Sequence, residues 1–425
     1  KIKKTTFEPM SYPEEPPHKK RNMGSPSSSL LSSLPDDVAM NCLARVSRLE
    51  HTALSLASKS YRSLVASSDL YKTRSLMGRT ETYIYVCLRT PPPNPSPRWY
   101  ILRRRNGSSD LISIPSLPSQ APEASSVAVL DWGIYVIGGL IEGKPTSDVW
   151  LLDCRTHTWR HVPSMGVARA EAAVGVVGGK IYVLGGCKYD DRSLSWGEVF
   201  DPKTQTWDTL PSMPIRRKHD QHIHCSMVRN QEIYAVVETD RTFYYSASEG
   251  KWGRGNRVEA IGNRRDFCMI DGLLYCICLD GTIFWCEADE LDRREPEGMV
   301  SKQVKGLLCL KESLIRSRLV HFGDHFLDRW DQNRIKFGFT QKSDKGHELE
   351  NLLSGARLSS SGRNMLIFWD VIEGARLEIW CAEISLERPR QGGNVWGNIE
   401  WSSAVMTLDP FLGRYKVLHS VSVTL

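Results

Sequence analysis

The residues best suited to metal binding form one short cluster, His219, His222, His224 and Cys225. Imidazole and thiolate groups are common zinc ligands, but a structural zinc site needs four ligands that converge on the ion. The cluster falls where a strand of the repeat described below is predicted to begin, so the repeat already explains its position. We therefore expect no bound metal and no other cofactor.

A second set of candidate ligands, Cys276, Cys278 and Cys286, falls on two adjacent predicted strands. Side chains two residues apart on a strand share a face, so Cys276 and Cys278 lie together. The chain has no C-x-x-C pair, and buried structural thiols are the better interpretation. It also lacks a P-loop, a G-x-S-x-G motif and a dinucleotide fingerprint. These observations predict that the chain is not an enzyme.

Arginines recur at a fixed interval, because Arg169, Arg217 and Arg265 are each 48 residues apart. A guanidinium group binds carboxylate or phosphate through two parallel hydrogen bonds, so such a series is suited to anionic partners. The alternative is that these arginines belong to the repeat and brace its loops. Three more basic residues lie next to members of this series: Arg216, Lys218 and Arg264.

The elements that position these arginines are clearest in residues 171–214. Gly178-Gly179 predicts a tight turn between two short apolar strands, because glycine adopts positive φ at little cost. A second glycine pair at 185–186 ends the second strand, and residues 201–205 form another turn before Trp207. This is a four-stranded antiparallel unit that cannot bury both of its faces alone, which predicts further copies.

A copy precedes it in residues 124–169, where the glycine pair lies 47 residues and Trp159 lies 48 residues before its counterpart. A period near 50 with a glycine pair and a later tryptophan resembles the kelch repeat, which forms one blade of a β-propeller. Paired glycines allow close approach of backbones, and the tryptophan fills space between blades. The resemblance predicts about six four-stranded blades in residues 80–425, clearest in 124–169 and 170–218, with an atypical insertion at 307–350.

Strand alternation predicts the substrate-binding face of this propeller. In a four-stranded antiparallel blade, the loop between strands two and three and the link to the next blade lie on the same face. The long loops Leu140–Ser147 and Cys187–Trp196 would lie there with the arginines. The predicted substrate-binding residues are Lys144, Arg169, Tyr189, Asp190, Arg192, Arg216, Arg217, Lys218, Arg264 and Arg265.

Residues 33–77 have helical rather than strand periodicity. Proline and two carboxylates at 35–37 predict a helix start, and the apolar positions that follow predict three short helices. The segments LPDDVAMNCLARV and LSLASKSYRSLVASSDLY resemble an F-box, here residues 30–78. The resemblance implies docking on a Skp1-type adaptor and, through it, on a cullin and a RING protein. The predicted adaptor-binding residues are Leu34, Pro35, Val38, Leu43, Val46, Leu54, Tyr61 and Leu64.

The composition is that of a globular chain with a mild positive charge. It has 41% hydrophobic residues and a net charge of +6 over 425 residues, and it shows no membrane-length apolar run and no signal peptide. The 11 cysteines are an odd number, scattered among predicted strands, which favours an intracellular protein with reduced thiols in the cytoplasm or nucleus. Residues 1–29 are rich in Pro, Ser and charge and are expected to be disordered.

The predicted fold is therefore a multidomain α plus all-β chain, with a three-helix F-box followed by a kelch propeller. The two-module order resembles plant F-box/kelch-repeat proteins, which implies a substrate-recognition subunit of an SCF-type ubiquitin ligase with an unidentified protein substrate. We expect neither a nucleic-acid nor a membrane partner. The alternatives are a kelch scaffold without a ligase role and a metal-dependent kelch enzyme. The F-box pattern disfavours the scaffold, and the missing ligand cluster disfavours the enzyme.

Overall fold

The computed structural model describes residues 34–90, 96–105, 108–187, 196–213, 223–237, 241–257, 267–278, 281–291, 300–320, 356–373, 376–388, 393–408 and 416–425. The chain separates into two compact units, Lys1–Arg79 and Thr80–Leu425. None of the described helices is both long and apolar enough to cross a membrane.

The described part of the N-terminal unit contains four helices where the sequence predicted three. The additional helix follows Ser67, whose extended backbone ends the preceding helix and whose hydroxyl accepts a hydrogen bond from Leu70 N at 3.3 Å. A serine N-cap of this kind satisfies an otherwise unpaired N–H of the first turn. The helices are α1 (Asp36–Ala44), α2 (Arg48–Ala57), α3 (Lys59–Ala66) and α4 (Ser68–Leu76).

A buried arginine ties the first helix of this unit to the last. The Arg74 side chain comes from the last turn of α4, and its Nη1 donates to Ala44 O at 3.3 Å and to Val46 O at 2.6 Å. These carbonyls lie at and just beyond the C-terminus of α1, where helix carbonyls have no partner within the helix and a cation is favoured. The remaining core of the unit is formed by Ala39, Leu43, Ala44, Tyr61, Val65, Leu70 and Tyr71.

The second unit is built almost entirely of short antiparallel strands. In its first half these are β1 (Thr82–Arg89), β2 (Pro97–Arg105), β3 (Ser108–Ser113), β4 (Ser126–Leu130), β5 (Gly133–Ile137), β6 (Leu140–Ile141), β7 (Lys144–Pro145), β8 (Val149–Asp153), β9 (Thr158–Val162), β10 (Ala173–Val177), β11 (Lys180–Leu184), β12 (Gly197–Asp201) and β13 (Thr206–Thr209). In its second half they are β14 (Ile223–Arg229), β15 (Glu232–Val237), β16 (Arg241–Ser246), β17 (Lys251–Arg257), β18 (Phe267–Ile270), β19 (Leu273–Ile277), β20 (Ile283–Glu287), β21 (Lys302–Gln303), β22 (Arg357–Ser361), β23 (Asn364–Glu373), β24 (Arg376–Glu387), β25 (Trp396–Leu408) and β26 (Lys416–Thr424).

Apart from the two-stranded β6–β7 hairpin, the described strands form six four-stranded sheets, which confirms the predicted six-bladed propeller. From the innermost strand outward, the sheets are blade 1 (β26-β1-β2-β3), blade 2 (β4-β5-β8-β9), blade 3 (β10-β11-β12-β13), blade 4 (β14-β15-β16-β17), blade 5 (β18-β19-β20-β21) and blade 6 (β22-β23-β24-β25). The innermost strands of all neighbouring blades contact one another, including those of blades 6 and 1 and of blades 1 and 2. The ring is therefore closed.

The ring is closed by the last strand of the chain, which the sequence did not indicate. β26 lies inside β1 and pairs with it from Thr82 opposite Thr424 to Arg89 opposite Lys416. Beyond the strand, Leu425 and Glu81 exchange two backbone hydrogen bonds of 2.8 and 2.9 Å. The first blade thus combines both ends of the propeller sequence.

The two faces of the propeller differ in the connections that they carry. The turn face carries the turns between strands one and two and between strands three and four, and the loop face carries the strand two-to-three loops and the links between blades. On the turn face, Gly178 and Gly179 have φ values of 59° and 73°, and Asn230 and Gln231 have 47° and 65°. Two consecutive positive φ values define the type I′ turn that matches the twist of paired strands.

The repeated tryptophans join neighbouring blades. The indole N–H of Trp159 donates to Pro115 O at 2.8 Å, and that of Trp207 donates to Pro163 O at 2.7 Å. Trp252 repeats the bond in blade 4, with Pro211 O at 2.7 Å. Each acceptor lies in the link that enters the blade of its tryptophan, so these residues contribute to the packing between blades, as the repeat predicted.

The first residues of the predicted insertion 307–350 form a helix, α5 (Leu308–Val320), in the link from blade 5 to blade 6. Leu310 and Leu314 are buried there against core residues of both blades, including Trp285 and Met365. β21, the outer strand of blade 5, has only two residues, and the helix that follows it contacts β23 of blade 6. Residues 321–350 of the insertion lie outside the described residues.

A histidine of the closing strand is held between blades 1 and 2. His419 stacks on Trp99 with ring centroids 6.3 Å apart, and it bonds to the backbone of Ser125 at the start of blade 2. Burial, reinforced by the charge of Arg357, lowers the pKa of His419 from the ordinary 6.5 to about 3. The folded propeller therefore holds this ring neutral at pH values where the unfolded chain protonates it.

This shifted pKa predicts an acid dependence of stability. Between pH 6.5 and about 3 the unfolded chain binds a proton that the folded chain does not, so the free energy of unfolding falls as the pH falls. The loss amounts to at most about 1.4 kcal/mol per pH unit. His419→Gln is expected to flatten the decline of the melting temperature between pH 6.5 and 4. His161→Gln, at an exposed histidine of blade 2, serves as control, and equal slopes in wild type and H419Q would contradict the assignment.

Candidate functional site

The N-terminal unit exposes apolar side chains at the start of α1. Leu34 is 36% exposed and Val38 is 41% exposed, and Pro35 between them is exposed as well. Leu34 lies two residues before α1, and Val38 lies in its first turn, so both belong to the start of the helix. Exposed large apolar groups in such a small unit are typical of a protein-binding surface.

The other predicted adaptor-binding residues are more deeply placed. Leu43 and Tyr61 are only 2% and 5% exposed and belong to the core of the unit, while Val46, Leu54 and Leu64 are half-buried. Leu43 and Tyr61 therefore support the helices that carry the exposed residues. The sequence prediction did not include Leu76, which is 90% exposed at the end of α4.

On the loop face, Arg169 is the centre of a buried polar network. Its side chain is 0% exposed, and its Nη1 donates to Gly185 O at 2.7 Å and to Trp196 O at 3.1 Å. Its Nη2 donates to Glu198 Oε1 at 2.9 Å. The guanidinium is thus directed at groups of its own chain, which fits the bracing interpretation and gives no exposed guanidinium for a substrate.

Glu198 completes the network from the opposite side. Its carboxylate is 4% exposed and accepts hydrogen bonds from Gly166 N at 2.6 Å and from Val167 N at 3.1 Å, in addition to Arg169. The link between blades 2 and 3, residues 163–172, is therefore fixed to β12 of blade 3 by one carboxylate. Sequence reasoning did not find Glu198, although an acidic residue at the start of a repeated strand was the available signal.

Glycine is required at these pairs because the backbone of each loop lies directly against the backbone of the link between blades. A Cβ on Gly138 would lie 2.3 Å from Arg169 O, and one on Gly186 would lie 2.5 Å from Ala170 O. Both glycines also have positive φ, 58° and 68°. These distances agree with the sequence prediction that the glycine pairs allow two backbones to approach closely.

The remaining predicted substrate-binding residues are mostly not placed. Lys144 is exposed in the β6–β7 hairpin, within the loop of blade 2. The others lie outside the described residues: Tyr189, Asp190, Arg192, Arg216, Arg217, Lys218, Arg264 and Arg265.

The described residues contain no group of three or more His, Cys, Asp or Glu side chains arranged to hold a metal ion. Cys276 and Cys286 are buried and form no disulfide, and Cys278 is partly buried. Burial raises the pKa of Cys87 and of Cys381 above that of an ordinary thiol, which disfavours the reactive thiolate. His219 and His222 and the side chains of His224 and Cys225 lie outside the described residues.

Comparison with known proteins identifies both units. Residues 31–73 match the F-box domain, and residues 99–344 match the FKB95 kelch-repeats domain. An F-box/kelch-repeat protein of Arabidopsis thaliana is 39% identical over 97% of this chain and 98% of its own length. A second from the same plant is 35% identical over 92% of this chain and 93% of its own length. The chain therefore belongs to the F-box/kelch-repeat protein family.

Proposed function

We propose that the chain is the substrate-recognition subunit of an SCF-type E3 ubiquitin ligase. In this role the F-box docks on a Skp1-type adaptor, which connects it to a cullin and a RING protein, and the propeller holds the protein to be ubiquitinated. The observation that carries the proposal is the combination of an F-box that exposes Leu34, Pro35 and Val38 with a closed propeller. Such a ligase works in the cytoplasm or nucleus, which is where we place the chain.

The adaptor contact is proposed at the start of α1. Of the eight predicted residues, Leu34, Pro35 and Val38 are exposed and are available to a partner. Burying them in an interface would remove apolar area from water, which is favourable by about 25 cal/mol per Å². The half-buried Val46, Leu54 and Leu64 can extend the same surface, whereas Leu43 and Tyr61 act through the fold.

The substrate contact is proposed on the loop face. Loops on a rigid scaffold are the usual carriers of binding residues. Strand register supports a role for the arginines at 217 and 265. In blade 3, Glu198 lies opposite Val183 of the neighbouring strand. The residue at the equivalent position is Phe243 in blade 4, opposite Ala235, and Phe284 in blade 5, opposite Cys276. Neither can neutralise an arginine as Glu198 does, which favours an acidic or phosphorylated substrate segment.

We further propose that the chain is not itself catalytic. Ubiquitin transfer would be carried out by the recruited proteins. The two exposed thiols among the described residues, Cys42 and Cys309, lie on the surfaces of helices, and the described residues form no metal-binding cluster. A kelch scaffold without a ligase role would have no use for the F-box, and this argument places the scaffold second.

If the start of α1 contacts the adaptor, a negative charge introduced at Val38 should strongly weaken adaptor binding. Val38→Glu in the full chain is expected to weaken binding of a purified Skp1-type adaptor by at least about tenfold, because the carboxylate would be buried without a partner. The helix itself should persist, since the side chain is 41% exposed. Isothermal titration calorimetry on wild type and variant measures the difference.

Leu76→Glu is the matched control, because Leu76 is an exposed leucine outside the predicted set. It is expected to bind the adaptor like wild type. Unchanged binding by V38E, or full binding by a chain lacking residues 30–78, would rule out the proposed contact.

A further inference from the structure

Arg169 contacts the loops of two different blades. Its backbone O accepts from Gly139 N at 2.7 Å, and its backbone N donates to Thr146 O at 3.1 Å, so it joins both sides of the blade 2 loop, residues 138–148. Its side chain reaches the other way, to Gly185 O and Trp196 O, which lie at the two ends of the blade 3 loop. One residue therefore holds four points on two neighbouring loops.

We infer that Arg169 is a positioning residue that couples these two loops, so that the loop-face surface of blades 2 and 3 behaves as one binding element. The inference rests on the proposed function only in treating this surface as one that binds a substrate. It replaces a direct contact between Arg169 and the substrate with an indirect role through the loops.

The network is buried and joined by several hydrogen bonds, as such a role requires. Both charged side chains are almost completely buried, and Glu198 fixes the link a second time through Gly166 N and Val167 N. Loss of one partner of a buried ion pair leaves the other charge uncompensated. Lysine cannot substitute for the arginine here, because a single ammonium lacks the planar fork that reaches two carbonyls and a carboxylate together.

This coupling distinguishes one pair of blades from its neighbours. At the register position of Glu198, blade 2 has Trp150, blade 4 has Phe243 and blade 5 has Phe284. Among these four blades, blade 3 alone has a carboxylate at this position to hold the link that precedes it. The surface formed by blades 2 and 3 is therefore expected to be stiffer than the rest of the loop face.

The test is hydrogen–deuterium exchange, followed by mass spectrometry, on the full chain with Arg169→Lys. The amides of residues 138–148 are expected to exchange roughly ten- to a hundredfold faster than in wild type, the range that loss of one or two charged hydrogen bonds produces. The Arg169 side chain donates to Gly185 O, Trp196 O and Glu198 Oε1 of blade 3, whereas its backbone holds the blade 2 loop. Faster exchange in the blade 2 loop would therefore reflect transmission through the link.

Arg155→Lys is the matched control. Arg155 makes a comparable bidentate pair with Asp153, at 3.0 and 2.7 Å, but in a turn on the turn face. Its replacement is expected to leave exchange in residues 138–148 unchanged. If R169K instead accelerates exchange only in residues 185–187 and 196–198, the loops are independent and the inference is wrong.

A second variant distinguishes coupling of the two loops from a general destabilisation of the propeller by R169K. Glu198→Gln keeps a neutral acceptor at the same position and is expected to accelerate exchange in both loops while the strands of blade 6 exchange as in wild type. If both variants accelerate exchange equally in all blades, Arg169 is a general stability element and does not couple the loops. These readouts need neither adaptor nor substrate, so failure of the proposed function would leave their outcome unchanged.

Discussion

Deletion of residues 416–425 is expected to abolish the folded propeller. This segment contains β26, which supplies the innermost strand of blade 1 and contacts the innermost strands of both neighbouring blades. Its removal would leave one edge of β1 unpaired and withdraw the buried side chains of Val417, Val423 and Leu425. At about 1.5–3 kcal/mol for each buried apolar side chain, the loss is comparable to the total stability of about 5–15 kcal/mol that is typical of a domain.

Thermal unfolding followed by near-ultraviolet circular dichroism measures this effect, and gel filtration detects the expansion. A matched pair of point variants gives the control within the same strand. Val423→Asp places a charge at a buried position, whereas Thr424→Asp places it at the exposed neighbouring position. V423D is expected to resemble the deletion and T424D the wild type. A truncated chain that melts at the wild-type temperature would show that blade 1 does not need this strand.

The parts of the fold that the sequence predicted are those encoded within one repeat. The glycine pairs, the alternating apolar runs and the tryptophan at fixed spacing all lie within about 50 residues, so their roles follow from local patterns. The close contact of Gly138 with Arg169 O and the bond from Trp207 to Pro163 O express these patterns directly.

The parts that it did not predict depend on partners distant in the chain. The pairing of β26 with β1 joins residues more than 300 positions apart, and no local pattern marks a strand as the closing one. Arg74 bonds to acceptors about 30 residues earlier in the chain, and two helices, α2 and α3, lie between them in the sequence. For Arg169, the interval of 48 residues showed that the arginine belongs to the repeat. That its side chain is buried against Glu198 became visible only in the structure, because Glu198 lies 29 residues further along the chain.

The second large effect is expected from Trp196→Ala, between blades 3 and 4. Trp196 is 1% exposed and meets Trp252 and Phe243 with ring centroids 5.2 and 6.2 Å apart, both in edge-on geometry. The packing is tight, since a Cβ on Gly185 would lie 3.0 Å from the indole. Close-packed surroundings of this kind collapse only partly around a deleted side chain. We therefore expect a loss of about 3–5 kcal/mol in the free energy of unfolding.

Trp396→Ala provides the comparison that isolates burial from residue type. Trp396 is 51% exposed at the start of β25, so its removal creates little cavity and is expected to cost about 1 kcal/mol or less. Urea unfolding of both variants, monitored by circular dichroism, gives the two free energies on one scale. Equal losses for W196A and W396A would mean that the interface between blades 3 and 4 is loosely packed. A larger loss for W196A would locate a main source of the propeller's stability at the junction of blades 3 and 4. This junction adjoins the Arg169–Glu198 network, because the backbone O of Trp196 accepts a hydrogen bond from Arg169.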